Sequence, residues 1–215
     1  MFAVIFETLP NPQRFSDYLG LAEALKPTLN TIDGFVMNER FSNDRVKGTL
    51  LSLSLWRDEK ALIRWRTHAQ HHGVQVNGRA GVLDDYRLRV GQIDLQFESG
   101  KLSRATEARR RDISATSPDP FVTISVSTRD VADPEVAGAP LHRDLVDERC
   151  SDFTGVVDVR RRLRMTRWPD ADQAERHLIE HCAALAGAHW AVSVVREYGM
   201  LDRREAPVFH EPVER

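Results

Sequence analysis

The hydrophobic positions of residues 1–97 change period several times, and each change predicts a new secondary-structure element. The opening FAVIFETL alternates β-branched and aromatic side chains with apolar residues on both faces, which is typical of a buried strand. NPQRFSDYLGLAEALKPTL then carries apolar residues at helical spacing. Pro27 is expected just beyond the end of that helix, because proline cannot continue the hydrogen-bond ladder.

A hairpin, a second helix and a closing strand are predicted next. DGFVMNERF and TLLSLSLW have strand patterns and are joined by polar turn residues. Asp58 is suited to cap a helix through its carboxylate, and we expect that helix to continue to about Val76. VLDDYRLRVGQIDL predicts the closing strand. The order is therefore β-α-β-β-α-β, the ferredoxin-like unit of the α+β class.

Residues 121–202 repeat this order in a diverged form. FVTISVST alternates as the first strand does, and Trp168 and Asp170 follow a strand pattern as Trp56 and Asp58 do. Self-similarity of this kind predicts a second ferredoxin-like repeat. Its two helices are expected over PLHRDLVDERC and AERHLIEHCAALAG, and its closing strand over HWAVSVVREYGML.

The second repeat is compressed relative to the first. Fewer residues separate Gly155 from Trp168 than separate Gly34 from Trp56. We therefore expect one hairpin of the second repeat to be largely lost, or its two strands to be merged.

Residues 98–120 and 203–215 break the periodicity. The first of these segments is rich in Ser, Thr, Pro and charge, which predicts a linker between the repeats. Its run Arg109-Arg110-Arg111 is either a basic patch or, as we expect, part of a solvated linker. The residues after Asp202 are expected to form a polar tail.

Composition excludes several classes of partner. Acidic and basic residues nearly balance in the 215-residue chain, at a net charge of −2, so no nucleic acid or anionic membrane partner is expected. The apolar opening is too short to span a bilayer and lacks the basic start of a signal peptide. Two cysteines, Cys150 and Cys182, without a CxxC motif, predict a cytoplasmic location.

Candidate chemistry concentrates in SLWRDEKALIRWRTHAQHHGVQVNGRAGVLDDYRLRV. On one continuous helix, Trp65 and His72 fall on the stripe that faces the sheet, His68 lies at its edge and His71 points to solvent. Trp65 and His72 can equally be ordinary core residues. His68 and His72 can share a metal ion, but no third ligand has suitable spacing, so no metal is expected.

DGFVMNERF followed by this segment resembles the antibiotic biosynthesis monooxygenase superfamily, the dimeric α+β barrel proteins. The resemblance covers about residues 1–95 and is most specific over 54–90. It implies that two ferredoxin-like units pair sheet to sheet in one barrel. The two repeats of one chain can supply both halves, as an intrachain pseudo-dimer, or two chains can pair as a homodimer.

The resemblance also implies an activity, the oxygenation of a small aromatic or quinol substrate by dioxygen without metal, flavin or haem. Removal of an acidic proton would let the substrate pass an electron to dioxygen. Trp65 stands at the family's helix Trp/His position, and His72 or His68 is the implied base. The other implied site residues hold substrate oxygens or form the walls of the pocket: Asn38, Arg40, Trp56, Tyr86 and Phe6.

Two alternatives accompany this prediction. The haem-degrading branch of the fold needs an Asn on the first strand and a His ten residues after the helix Trp. FAVIFETL has no Asn, and the second position is Gln75, so haem cleavage is disfavoured. A non-catalytic binding or scaffold protein of the same fold is the other alternative. His177 stands where the first repeat has Trp65, and the second repeat is expected to be structural.

Overall fold

The computed structural model describes residues 1–98, 100–128, 149–182 and 186–207. Its helices and strands follow the predicted alternation closely in the first repeat. The elements, in chain order, are β1 (Phe2–Pro10), α1 (Phe15–Thr31), β2 (Phe35–Asn43), β3 (Leu50–Trp56), α2 (Glu59–Thr67), α3 (Ala69–Asn77), β4 (Leu83–Glu98), β5 (Lys101–Arg104), β6 (Phe121–Thr128), β7 (Cys150–Gly155), β8 (Arg161–Trp168), α4 (Ala171–His177) and β9 (Ala188–Gly199).

Eight of these strands close into one antiparallel barrel within the single chain. Hydrogen-bonded neighbours run in the order β1-β3-β2-β7-β8-β6-β9-β4, and β4 pairs with β1 to complete the ring. The strands of residues 1–97 therefore meet those of residues 121–202 at two seams, β2 with β7 and β4 with β9. The intrachain pseudo-dimer is the arrangement that this chain adopts, and we propose that the two ranges are the units of the repeat.

Apolar side chains from both halves fill the inside of the barrel. Alternate residues of a strand point to opposite faces, so Leu51, Leu53 and Leu55 of β3 all point inward. They pack against Ile124 and Trp190 of the second half in one continuous core. Because each half contributes about equally to this core, neither sheet buries its inner face without the other.

The first two helices of the chain lie outside the barrel. Leu25 and Leu29 of α1, together with Trp65 of α2, pack against the outer side chains of β1 and β4. The prediction that the first helix ends before Pro27 is wrong, since α1 continues to Thr31. The interior proline removes one helical hydrogen bond, and the contacts of Leu29 with the outer cluster stabilise the turn beyond it.

The second repeat keeps its hairpin. The predicted loss or merging of strands is wrong, because β7 and β8 are separate strands that pair over Cys150–Thr154. The hairpin is compressed by having short strands and a short connection, and Gly155 lets its ends approach closely. The helix predicted over PLHRDLVDERC lies almost entirely outside the described residues.

Residues 100–120, part of the expected solvated linker, make specific contacts with the barrel, although most of them are exposed or half-buried. Part of this segment forms β5, and Ser114 is buried, with its backbone N–H donating to Val194 O at 2.9 Å. Arg109 Nε donates to Asp94 Oδ2 at 3.0 Å, and Arg110 Nη1 donates to Glu59 Oε2 at 2.5 Å. The segment therefore packs against the barrel, because its arginines meet carboxylates that are far away in sequence.

The start of the predicted polar tail also makes specific contacts. Glu205 accepts hydrogen bonds from the backbone N–H groups of Ala115, Thr116 and Glu197 at 2.6–3.1 Å. The Ser114 hydroxyl also donates to Glu205, at 2.8 Å. These four donors fix this turn of the chain against β9, and their hydrogen bonds lower the pKa of Glu205 against the opposing effect of burial.

Candidate active site on the helix-side face

The predicted site residues of the first half share one surface, which we call the helix-side face: the outer face of β1–β4, on which α1 and α2 pack. In β2, Phe41 points into the barrel, so Asn38 and Arg40 point to the opposite, helix-side face. Strand pairing places Arg40 beside Ser52 and Ser52 beside Phe6. Phe6 in turn pairs with Leu88, which is the neighbour of Tyr86 on the same face of β4. The register thus brings residues from four strands together.

The helix that carries the Trp and His residues is broken. α2 ends at Thr67, α3 begins at Ala69, and His68 between them has an extended backbone (φ −64°, ψ 129°). The single helix predicted from Asp58 to Val76 is therefore wrong beyond Thr67, although Asp58 does cap it by accepting from Ala61 N at 2.7 Å.

Contacts of α3 with α1 account for the break. Gln70 Nε2 donates to Ala24 O at 3.0 Å, and Thr28 Oγ1 donates to Gln70 Oε1 at 2.5 Å. Thr67 Oγ1 also bonds to Ile63 O at 2.9 Å, so it competes for the carbonyl of the turn before it. These contacts give α3 a direction different from that of α2. The regular helical spacing that would place Trp65 and His72 on one stripe therefore does not continue across His68.

The imidazole that meets Trp65 is that of His71. The two rings stack with centroids 4.2 Å apart and planes 12° apart, and His71 Nδ1 lies 3.0 Å from Trp65 O. The prediction that His71 is solvated is wrong for this reason. Burial against the indole lowers the pKa of His71 to about 4, against the opposing effect of the Trp65 carbonyl, so His71 is neutral at pH 7.

His68 is the second imidazole near the Trp65 indole. Its ring centroid is 6.2 Å from that of Trp65, and its Nδ1 is buried without a hydrogen-bond partner among the described residues. A buried imidazole nitrogen normally has a partner, because leaving it without one costs about 1–3 kcal/mol. Such an atom fits a site that is completed by a ligand. His72 is half-buried in the first turn of α3, and its N–H donates to His68 O at 2.9 Å.

Asn38 is exposed and has a defined orientation. Its Nδ2 donates to Ser52 Oγ at 2.7 Å and to Leu53 O at 3.2 Å, so both amide hydrogens are used. The amide oxygen remains available to accept a hydrogen bond from a hydroxyl group. In this orientation Asn38 does not donate to an oxyanion.

Arg40 brings a positive charge to this face. Its guanidinium lies over the ring of Tyr18, with Cζ 5.5 Å from the ring centroid. Its Nε is buried and has no hydrogen-bond partner among the described residues. The sequence pattern predicts Tyr18 only as one of the apolar residues of α1, from its helical spacing to Phe15. It gives no indication of the contact with Arg40.

The remaining predicted residues form apolar walls. Trp56 is almost fully buried, contacts Phe35 edge-on at 5.3 Å and donates from Nε1 to Ser54 Oγ at 3.0 Å. Phe6 and Tyr86 have ring centroids 5.7 Å apart. The Tyr86 hydroxyl accepts from Arg203 Nη1 at 2.5 Å, a contact that the sequence pattern did not predict.

Two cavities open elsewhere on the described part of the chain. The larger, of about 650 Å³, lies against α4 of the second repeat, and the smaller, of about 280 Å³, lies at one end of the barrel and includes Tyr86. Trp65, His68 and His72 line neither of them. The residues lining the larger cavity are Trp168, Asp170, Asp172, Gln173, Arg176, His177, Glu180 and His181.

Two classes of site find no support in the described ranges. No three His, Cys, Asp or Glu side chains there are grouped as a metal ion would require. No helix there has both the length and the apolar composition needed to cross a bilayer.

Comparisons with known proteins agree with this fold. The family model described as antibiotic biosynthesis monooxygenase matches residues 1–76. A crystal structure of aldoxime dehydratase in complex with butyraldoxime matches 94% of this chain and 80% of that one, at a TM-score of 0.56 and 10% identity, which is a likeness of fold alone.

A full-length relative extends the match to the whole chain. The protein called jasmonate monooxygenase ABM from Pyricularia oryzae is 36% identical over 228 aligned residues, which cover 99% of each chain. With the family model matching the first repeat and this relative matching both, the chain belongs to the antibiotic biosynthesis monooxygenase family.

Proposed function

We propose that this protein transfers one atom of dioxygen to a small molecule bound on the helix-side face of the first repeat, in the cytoplasm. The observation that carries the location is the buried, unpartnered Nδ1 of His68 beside the Trp65 indole. A proton acceptor, an indole wall and a guanidinium on one face are what an oxygenation begun by proton removal needs.

Two substrate classes are supported by different observations. The rings of Phe6, Tyr86, Trp56 and Tyr18 favour a flat aromatic or quinol substrate. The name of the full-length relative favours jasmonate, a small ring ketone with a carboxylate side chain. Both have weakly acidic positions next to, or conjugated with, an oxygen atom.

The proposed chemistry uses His68 as the proton acceptor, with His72 as the neighbouring candidate. After the substrate loses one proton from a CH₂ group next to a carbonyl, a group that a hydroquinone has in its keto form, the carbanion passes one electron to dioxygen. The substrate radical then combines with superoxide to give a peroxide. The peroxide takes up a proton and loses water, leaving a carbonyl group. One CH₂ and one O₂ thus yield one C=O and one H₂O, with all electrons supplied by the substrate and no resident cofactor in the step.

Other side chains set the environment of that step. Trp65 and Trp56 exclude water, which strengthens electrostatic interactions nearby. Arg40 offers a positive charge to a substrate oxygen, and the Asn38 carbonyl oxygen accepts from a substrate hydroxyl.

Oxygen uptake with labelled product tests the proposal. Purified protein is given jasmonate or a hydroquinone under ¹⁸O₂, and the product is analysed by mass spectrometry. Incorporation of one ¹⁸O atom per product, with matching oxygen consumption, is expected with at least one class. Binding of both compounds without oxygen consumption would instead indicate a non-catalytic binding protein.

A further inference from the structure

Arg40 lies on a strand of the barrel and has no acidic partner in the described part of the chain, whereas other strand arginines of this protein do. Arg161 of β8 pairs with both oxygens of Glu39 at 2.9 Å, and Arg164 of the same strand pairs with Asp152 at 2.6 and 3.1 Å. The guanidinium of Arg40 makes no ion pair with any residue in the described ranges.

The local sequence explains why no partner is within reach. Glu39, its neighbour in the chain, points to the opposite face of β2 and is occupied by Arg161. Asp17, on the helix that covers Arg40, is paired with Arg14 at 3.0 Å. The cross-strand neighbour is Ser52, whose hydroxyl accepts from Asn38.

The Tyr18 ring holds the guanidinium in place without neutralising it. A cation–π contact of this kind is weaker than a paired carboxylate and leaves the N–H groups of Arg40 unused. A partly buried arginine with a buried, unpartnered Nε is arranged to receive an anion, and its planar fork matches a carboxylate.

We infer that Arg40 binds a carboxylate of the substrate, so that the substrate is a small organic acid whose ring lies toward Phe6 and Trp65. This inference rests on the proposed function and narrows it. Phe6 is two strands from Arg40, roughly 10 Å across the sheet, and Asn38 is two residues along β2, roughly 7 Å away. That span suits an acid with one or two rings.

Paired ligands that differ only in charge test the inference. Jasmonate and its methyl ester are titrated into wild-type protein and the Arg40→Gln and Arg45→Gln variants by calorimetry. Arg45 is the matched control, because it lies exposed in the turn after β2. Wild type should bind the acid at least ~10-fold more tightly than the ester, since a hydrogen bond to a charged group contributes about that much or more.

The variants separate a carboxylate contact from other roles. R40Q should weaken binding of the acid by ~10–100-fold and that of the ester by less than ~3-fold, whereas R45Q should change neither. Equal loss for acid and ester would overturn the inference and assign Arg40 to the ring oxygen or to folding. Failure of wild type to prefer the acid would also overturn it. Circular dichroism melting curves establish that R40Q is folded.

Oxygen uptake measured on the same samples distinguishes this inference from the proposed function. Acid binding that depends on Arg40, without oxygen uptake, would keep the carboxylate contact and overturn the oxygenase. Oxygenation of acid and ester that is equally efficient and insensitive to R40Q would do the reverse.

Discussion

The Trp65 indole and the His71 imidazole form a parallel stack, with centroids 4.2 Å apart, inside the layer between helix and sheet. The stack exists because the helix breaks at His68 and turns His71 back over the preceding helix. The imidazole stacked on Trp65 is therefore that of His71 and not that of His72. For this reason we propose His68 as the proton acceptor, since its buried Nδ1 has no hydrogen-bond partner among the described residues.

The first prediction concerns pH and stability. The pKa of His71 is about 4 in the folded chain and ordinarily 6.5, so the unfolded chain binds more protons between these two pH values. The stability that neutral His71 contributes is complete above about pH 6.5 and is lost as pH falls towards 4, by at most about 3 kcal/mol. His71→Phe keeps a ring on Trp65 and cannot titrate.

Urea unfolding at a series of pH values checks this. The difference in unfolding free energy between H71F and wild type should shift in favour of H71F as pH falls from 6.5 to 4.5. Parallel stability curves for the two proteins over this range would contradict the buried stack.

The second prediction separates the histidines in catalysis. His68→Gln should lower kcat for the oxygenated substrate by ~10²–10⁴-fold, the usual contribution of a general base. His72→Gln, one helical turn later, should lower it by less than ~10-fold. Steady-state oxygen electrode measurements show which variant loses more activity. A larger loss of kcat in H72Q than in H68Q would indicate that His72 is the base.

The third prediction concerns the turn that positions α2. Gly34 has φ 88°, and a Cβ there would lie 2.6 Å from Ala61 Cβ at the start of the helix. Gly34→Ala should therefore destabilise the protein by at least about 2 kcal/mol, through strain and overpacking. Gly20→Ala, in the middle of α1 with nothing within 4 Å, should stabilise it by about 1 kcal/mol. Thermal melts of both variants test the opposite signs.

The fourth prediction concerns residues 98–120. Asp94 is buried, which raises the pKa of its carboxyl, and Arg109 opposes that effect. Arg109→Gln should cost about 2 kcal/mol of unfolding free energy, between the values for exposed and fully buried ion pairs. Arg111→Gln, two residues away and exposed, should be neutral within about 0.5 kcal/mol. Equal effects in chemical denaturation would mean that the segment is a solvated linker after all.

Most of the fold was predictable because it depends on local periodicity. The alternation of FAVIFETL and TLLSLSLW places each residue on its observed face, and Asp58 caps its helix as its side chain predicts. Whether one chain or two close the barrel was not predictable, since the same apolar inner faces serve either arrangement. The pairing of β4 with β9 decides it.

The features that were missed depend on contacts between distant residues. The hydrogen bonds of Gln70 with Ala24 and Thr28 set the direction of α3. No local sequence pattern around His68 indicates the break between α2 and α3. The roles of Arg109 and Glu205 likewise depend on partners brought close only by the closed barrel. Strand alternation predicts which residues share the helix-side face. It does not predict how the histidines of α2 and α3 are arranged there.

The most direct test compares the two repeats at equivalent positions. Trp65 of the first repeat and His177 of the second follow their capping aspartates at the same spacing, and His177 lines the larger cavity. Trp65→Phe and His177→Phe place the same side chain at both. Incorporation of ¹⁸O into product should fall more than ~10-fold in W65F and stay near wild type in H177F. Loss in H177F with retention in W65F would contradict a site on the first repeat.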